Sequence, residues 1–162
     1  MANTQPQSEQ PQSAQSQTEK PQLLSLLLGS TLTQITWFIL RLSAGGLMIH
    51  NGFDKLTDVQ GFADGVVSFI GLPYPVFFTY CAAYTEIIGS ILIFLGLLVR
   101  PSAGALLVTM AIAVFFHLKA NGLAIAPLET ATLYATIYTF LLINGAGQWS
   151  LDEWLANRLG DD

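Results

Sequence analysis

Long runs of mostly apolar residues, with few charges, alternate with short polar segments along this chain. Four runs are long enough to cross a bilayer: about residues 31–52, 75–99, 101–118 and 130–147. The third lies between Arg100 and Lys119, and at about 1.5 Å per residue it reaches about 27 Å, the thickness of a hydrocarbon core. Backbone amides in lipid must be paired within their own segment, and the runs lack the alternation of barrel strands. The pattern therefore predicts four transmembrane helices.

Short connections set the predicted order of these helices. The second connection is Arg100-Pro101 and the third covers residues 119–123, and short connections make consecutive helices antiparallel neighbours. The predicted fold is an all-α integral membrane protein, an antiparallel four-helix transmembrane bundle with both termini on one side. Lys20, Arg100 and Arg158 fall on that side, against Lys55 and Lys119 on the other. The excess of positive charge predicts that both termini are cytoplasmic.

The longer first connection predicts an amphipathic surface helix between spans one and two. Its apolar residues over 58–70 recur with helical spacing, and polar residues occupy the other side. Thr57 is placed to cap its start and Gly71 to end it. The segment is too short and too polar to span, so it is expected to lie at the membrane surface.

The two ends of the chain are expected to lie outside the bundle. Residues 1–22 are rich in Gln, Pro and Ser and lack the apolar groups that offset ordering entropy, which predicts a disordered polar tail. Residues 149–162 contain a capping-box pattern from Ser150 to Glu153. Trp149 and Trp154 are typical of a membrane–water interface, so this end is predicted to form an interfacial amphipathic segment.

The composition agrees with a membrane protein. The mean hydropathy is +0.51, with 52% hydrophobic and 10% charged residues, whereas soluble domains carry about 25% charged residues. A soluble enzyme is thereby nearly excluded, and six Lys and Arg residues are too few for nucleic-acid binding. The single cysteine, Cys81, allows no internal disulfide and no dithiol chemistry.

Two opposite charges interrupt the first two spans. Arg41 lies nine residues before His50, about 13–14 Å deeper, and Glu86 lies about 16 Å into the second span. Charges near the middle of a bilayer are costly unless they are paired or hydrated. We therefore expect Arg41 and Glu86 to form an intramembrane polar pair. Three interpretations are open: a pair that fixes helix register, a pair that handles protons or a ligand, or an Arg41 that reaches the interface alone.

Histidines mark the same end of spans one and three. His50 and His117 are too few for a metal site, so none is predicted. They are either a satisfied interfacial pair or part of a ligand pocket, where an imidazole donates to a quinone-like carbonyl or relays a proton.

Tyrosines form two helical stripes. Tyr80 and Tyr84 are four residues apart on span two, and Tyr134 and Tyr138 are four apart on span four, so each pair shares a helix face. A tyrosine hydroxyl in lipid needs a partner, which predicts that both faces point inward. The stripes either hold the bundle by hydrogen bonds or line an aromatic pocket for a flat ligand.

Several short motifs, in this order and spacing, resemble the DoxX family over roughly residues 35–153. They are Leu40-Arg41-Leu42, Gly45-Gly46, His50-Asn51-Gly52-Phe53-Asp54-Lys55-Leu56, Gly71-Leu72-Pro73, Glu86-Ile87-Ile88-Gly89, Leu95-Gly96-Leu97-Leu98-Val99-Arg100, His117 and Gly147-Gln148-Trp149-Ser150-Leu151-Asp152. The resemblance implies a small four-span protein of the bacterial inner membrane, associated with membrane oxidoreductases that include a thiosulfate:quinone oxidoreductase.

Two functions follow from the resemblance and the polar residues together. The first is a quinone-binding or redox-associated membrane subunit, with a quinone as its cofactor and a redox enzyme or further copies of the chain as partners besides the bilayer. The alternative is a non-catalytic assembly or interaction protein, or a small-solute permease. The chain contains no self-sufficient redox or hydrolytic motif, so no catalytic residue is assigned.

Overall fold

A computed structural model describes the backbone of residues 12–159 and the side chains of residues 30–126 and 128–159. Within those ranges the chain forms helices and turns and no strand. By their contacts, the chain up to Ile35 and the chain from Thr36 onward are separate units, and the site described below lies wholly in the second. The helices are α1 (Gln12–Thr57), α2 (Val59–Ile70), α3 (Pro75–Leu95), α4 (Val99–Asn121), α5 (Ile125–Asn144) and α6 (Leu151–Leu159).

Three of these helices are long and apolar enough to cross a membrane. They are Ser30–Thr57 within α1, with 28 residues, α3 with 21 and α4 with 23. The helix expected over residues 130–147 is α5, which has 20 residues and ends at Asn144. It ends before the predicted boundary because Gly145 and Gly147 both adopt positive φ angles.

The turn between α3 and α4 is built on glycine. α3 ends at Leu95, four residues before its predicted end, because Gly96 has a φ of +74°, and the Leu97 amide closes the helix by donating to the Leu92 carbonyl at 2.9 Å. The next helix is capped from far along the chain. The Asp152 carboxylate accepts from the Leu98 amide at 2.7 Å and from the Val99 amide at 3.0 Å.

The predicted amphipathic helix between the first two spans is α2, with a π-helical turn at Ala63–Val67. Ala63 and Val67 are buried. Asp58 caps its start, accepting from the Gly61 amide at 2.9 Å; the predicted cap, Thr57, is instead the last residue of α1. Gly71, with a φ of +93°, ends the helix as predicted.

The core lies where α1, α3, α4 and α5 meet. Its fully buried side chains include Met48 from α1, Ile93 from α3, Leu106 from α4 and Leu141 from α5. α4 packs against both α3 and α5.

The ends of the described chain bear on two predictions. α1 begins at Gln12, so it includes the second half of the segment 1–22 that is expected to be disordered. Residues 1–11 lie outside the described residues, and the extent of the polar tail stays a prediction. At the other end α6 starts as its sequence predicts, with the Glu153 amide donating to Ser150 Oγ at 3.2 Å. Residues 160–162 are again outside the described chain.

Candidate functional site

A cavity of about 690 Å³ lies between α1, α2, α3, α4 and α5. Most of its lining is aliphatic or aromatic, and α2 contributes one wall through Phe62, Val66, Val67 and Ile70. Pockets of about 300–1,000 Å³ with mainly apolar walls and a few polar groups are typical of small-molecule sites. Its polar and ionisable lining residues are Asn51, Lys55, Thr85, Glu86, Thr109, His117, Thr130 and Tyr134.

An ion pair lies in the wall of this cavity. Lys55 Nζ donates to Glu86 Oε2 at 2.5 Å, and it also donates to the Asn51 carbonyl at 3.2 Å. The Glu86 side chain is 2% exposed and that of Lys55 is 16% exposed. The Lys55 ammonium also lies 5.2 Å from the centre of the Phe62 ring, so it joins the ion pair to α2.

The placement of this pair follows from helix geometry. Met48, Asn51 and Lys55 are three and four residues apart along α1 and share one face. The long apolar stem of Lys55 lets its ammonium reach inward from near the end of the helix. Glu86 lies in the middle of α3, where an unpaired carboxylate would be expensive. The pair leaves the cavity with no net charge from these two residues.

His117 is a second polar group of the cavity. It lies in the last two turns of α4, and its Nδ1 atom is buried without a hydrogen-bond partner among the described residues. Its ring packs edge-on against Phe116, with ring centres 5.1 Å apart. Phe116 in turn packs edge-on against Phe69 of α2 at 5.7 Å, and Lys119 donates to the Phe69 carbonyl at 2.8 Å. The end of α4 is thereby fastened to α2.

Arg41 has different partners from those predicted. Its Nη1 donates to the Ala146 carbonyl and its Nη2 to the Trp149 carbonyl, both at 2.6 Å. The side chain is 2% exposed, and its guanidinium lies against Gly96. We call Arg41 and the segment 145–152 the arginine knot. The predicted Arg41–Glu86 pair is corrected: Glu86 pairs with Lys55, and Arg41 binds backbone.

The register of α1 against α3 explains this correction. A side chain added at Gly52 would meet Ala83 and Ile87, and one added at Gly45 would meet Ser90 and Phe94. The two helices are therefore antiparallel, and Glu86 is level with Gly52. Arg41 is eleven residues away from that level, about 16 Å along the helix. The sequence estimate took His50 as the end of the span, whereas α1 continues to Thr57.

The tyrosine stripes divide between inside and outside. Tyr134 and Tyr138 stack with ring centres 5.9 Å apart; Tyr134 lines the cavity and Tyr138 is fully buried. Tyr80 and Tyr84 stack at 6.2 Å, but they are 42% and 53% exposed. The expectation that both stripes point inward is therefore wrong for Tyr80 and Tyr84.

Those two exposed tyrosines line a separate space. An outer groove of about 620 Å³ lies between α3 and α4. The remaining predicted pocket residue, His50, is exposed and lines neither space. Of the six predicted pocket residues, the structure brings only His117 and Tyr134 together in the cavity. Whether these residues bind a ligand stays a prediction.

Sequence reasoning missed Lys55 as a site residue. It used Lys55 as a charge flanking the first span and as part of a family motif, but not as a site residue. A usable signal was present, because Asn51 and Lys55 are four residues apart and follow Met48 on the same helix face. The contribution of α2 to the cavity has no such signal, since its apolar face indicates burial but not what it covers.

Comparison with known proteins gives this chain a family. The profile of the DoxX family matches residues 36–118, just over half of the chain, including Lys55, Glu86 and His117. An uncharacterized membrane protein of Mycobacterium tuberculosis is 30% identical over 132 residues, which are 74% of this chain and 80% of that relative.

A second relative supports the same assignment over a shorter range. An uncharacterized protein of Haemophilus influenzae is 41% identical over 77 residues, which are 44% of this chain and 58% of that relative. No solved structure matches the chain. With a family profile that covers half of its length and a relative aligned along most of it, this chain belongs to the DoxX family of membrane proteins.

Proposed function

We propose that this protein binds a neutral, lipid-soluble quinone in the cavity and serves as a quinone-binding subunit of a membrane redox system. The observation that carries the proposal is the Lys55–Glu86 ion pair in the wall of an apolar cavity of about 690 Å³. An ionisable group inside a membrane segment is costly to keep, which makes it a candidate for function. The open space beside this pair distinguishes it from Arg41, which binds backbone carbonyls.

The chemistry of the lining supports a neutral ligand with oxygen atoms on a flat ring. The Lys55 ammonium can donate to a carbonyl, and the Glu86 carboxylate can accept from a hydroxyl. His117 also lines the cavity and adds a polar side chain to its wall. Since Lys55 and Glu86 cancel in charge, the cavity favours a neutral molecule over a free ion. The ring of Tyr134 supplies an aromatic wall.

The residues of this chain hold the ligand and its protons rather than supply electrons. One cysteine cannot perform dithiol exchange, so electrons would come from a partner protein. Reduction of a quinone takes up two protons as well as two electrons. The Glu86 carboxyl is the group that would hold a proton beside the ring, which fits a redox-associated subunit.

We also propose the membrane arrangement that this function requires. α5 would be the fourth span, since 20 residues reach about 30 Å and its sequence from Thr130 to Asn144 is uncharged. The result is an antiparallel four-helix bundle in the bacterial inner membrane, with both termini cytoplasmic by the positive-inside rule.

The test is direct binding to the purified full chain in lipid nanodiscs. Tetramethylbenzoquinone is the probe, because its fully substituted ring does not alkylate Cys81. We expect saturable binding that the double variant Lys55→Met/Glu86→Gln lowers about tenfold or more, since a charged hydrogen bond contributes about 1.5–3 kcal/mol. His50→Ala, at an exposed position outside the cavity, is the matched control.

Mass spectrometry of gently purified protein sharpens the result. A co-purifying quinone in the wild type that is absent from the double variant supports the proposal. If the wild type binds no quinone, the proposed function is contradicted. Stoichiometric capture of a redox enzyme without any quinone would favour the alternative, a non-catalytic assembly protein.

A further inference from the structure

The cavity and the outer groove adjoin each other between α3 and α4. Three residues line both spaces: Cys81 and Thr85 on α3, and Ala105 on α4. All three have small side chains, so the wall between the two spaces is thin at this position. We call these three residues the portal.

The two spaces differ in polarity. The cavity holds the Lys55–Glu86 pair and His117. The groove beyond the portal is lined almost wholly by apolar and aromatic side chains and contains no charged residue. Its far parts are formed by Leu92 and Leu98, toward the turn between α3 and α4. A molecule lying across the portal would therefore meet charged groups at one end and mostly apolar, uncharged surface at the other.

We propose that the ligand of the cavity carries a long alkyl or prenyl tail, which leaves through the portal and lies in the outer groove. This inference rests on the proposed function and adds the chemical class of the ligand, a ring headgroup with a long tail. A cavity of about 690 Å³ accommodates a headgroup with short substituents. A long tail needs a second space, and the groove continues the first.

The portal gives the tail of the ligand access to the outer groove and adds little affinity of its own. A tail in the bilayer is already surrounded by hydrocarbon, so moving it into an apolar groove gains little hydrophobic free energy. A blocked portal, however, forces the tail into the headgroup cavity or against packed helices. Overpacking of that kind is unfavourable. The portal therefore determines whether a tailed ligand can bind at all.

The experiment compares two quinones on three proteins in nanodiscs. The probes are tetramethylbenzoquinone, which has no tail, and a decyl-substituted benzoquinone whose other ring positions are also substituted. Ala105→Phe fills the portal. Ala111→Phe is its matched control, because Ala111 is an exposed alanine of the same helix that lines neither space.

The expected result is selective. Ala105→Phe should weaken binding of the decyl quinone about tenfold relative to the tailless quinone. The wild type should bind the two probes with similar affinity when the concentration of each probe is expressed per mole of lipid. Ala111→Phe should do the same. Equal affinities of the two probes for Ala105→Phe would overturn the portal while leaving the quinone site intact. If neither probe binds to the wild type, the proposed function itself is overturned.

A second variant keeps the test valid if Ala105→Phe does not fold. Ile88→Trp narrows the groove at an exposed position that does not line the cavity. It should lower the affinity for the decyl quinone alone, by a smaller factor of about threefold, because the larger ring obstructs the path of the tail. An unchanged decyl affinity in Ile88→Trp would show that lipid or another molecule, not the tail, occupies the groove.

Discussion

Two buried charges in this protein, Arg41 and Glu86, are satisfied by different kinds of partner. Arg41 donates to the carbonyls of Ala146 and Trp149, which belong to the backbone and cannot exchange protons. Glu86 pairs with Lys55, whose long side chain is flexible. The arginine knot therefore acts as a fixed contact, while the ion pair can rearrange, as the proposed ligand site requires.

The surroundings reinforce this difference. The arginine knot connects α1 to the segment after α5, and Asp152 in the same segment caps α4. Arg41 is thus held in a network that joins the ends of several helices. The ion pair instead faces open space of about 690 Å³. Burial of a charge does not identify a functional site by itself; what distinguishes the two is the nature of the partners and the space beside them.

The largest expected effect is the loss of the arginine knot. Arg41→Met removes two charged hydrogen bonds and strands two carbonyls, which should lower the free energy of unfolding by about 3–5 kcal/mol. Denaturation of the purified protein in mild detergent measures this. Arg41→Lys should recover only part of the loss, because an ammonium lacks the fork that reaches both carbonyls.

Quinone binding per folded molecule should remain near the wild-type value in Arg41→Lys. A stable Arg41→Met protein that has lost binding would show that the arginine belongs to the ligand site and not to a structural joint.

Breaking the ion pair should destabilise the protein less than loss of the arginine knot does, but it should weaken quinone binding more. Lys55→Met or Glu86→Gln should each lower the free energy of unfolding by about 1–3 kcal/mol, below the cost of a fully enclosed pair, because Lys55 can turn toward the surface. The double variant should regain stability relative to the worse single variant. Denaturation of all four proteins gives a double-mutant cycle, and zero coupling between the two positions would disprove the pair.

The distant cap should have a moderate effect. Asp152→Ala removes the carboxylate that accepts from the Leu98 and Val99 amides, which should cost about 0.5–2 kcal/mol. Glu153→Ala, at an exposed neighbouring position, is the control and should change little. Equal stability of the two variants would show that α4 does not depend on this cap.

Substitution of either histidine should change the stability least. The two substitutions should differ clearly from each other in quinone binding. His50→Ala should stay within about 0.5 kcal/mol of the wild type and bind quinone normally. His117→Ala should be nearly as stable but bind more weakly, because the His117 side chain lines the cavity. Matching titrations of both variants check this; equal binding would remove His117 from the site.

Much of the fold could be predicted from the sequence because membrane helices depend on local composition. Uncharged runs located the helices, and spacing located α2. The i and i+4 spacing also predicted that the two tyrosines of each pair share a helix face. The same local rules cannot say which face of a helix points inward, since lipid and protein interior are equally apolar. For that reason Tyr80 and Tyr84 were assigned to the interior although they line the outer groove.

The candidate site depended on information that local patterns lack. Pairing Arg41 with Glu86 required the register between α1 and α3, and that register is set by the close approach at Gly45 and Gly52. If the end of a span is misplaced by one or two helical turns, the residue predicted to lie level with Glu86 changes, and so does its predicted partner. Lys55 was overlooked because a lysine near the end of a span is ordinarily a surface charge.

The most direct measurement of the central claim is infrared difference spectroscopy of a carbonyl-labelled tetramethylbenzoquinone bound to the protein in nanodiscs. Our account predicts that the carbonyl stretch shifts to lower frequency in the wild type, because Lys55 donates to it. The shift should be lost in Lys55→Met and kept in Arg41→Lys. A shift that persists in Lys55→Met, or that disappears in a folded Arg41→Lys protein, would contradict the assignment of the ion pair as the ligand site and of the arginine knot as a structural joint.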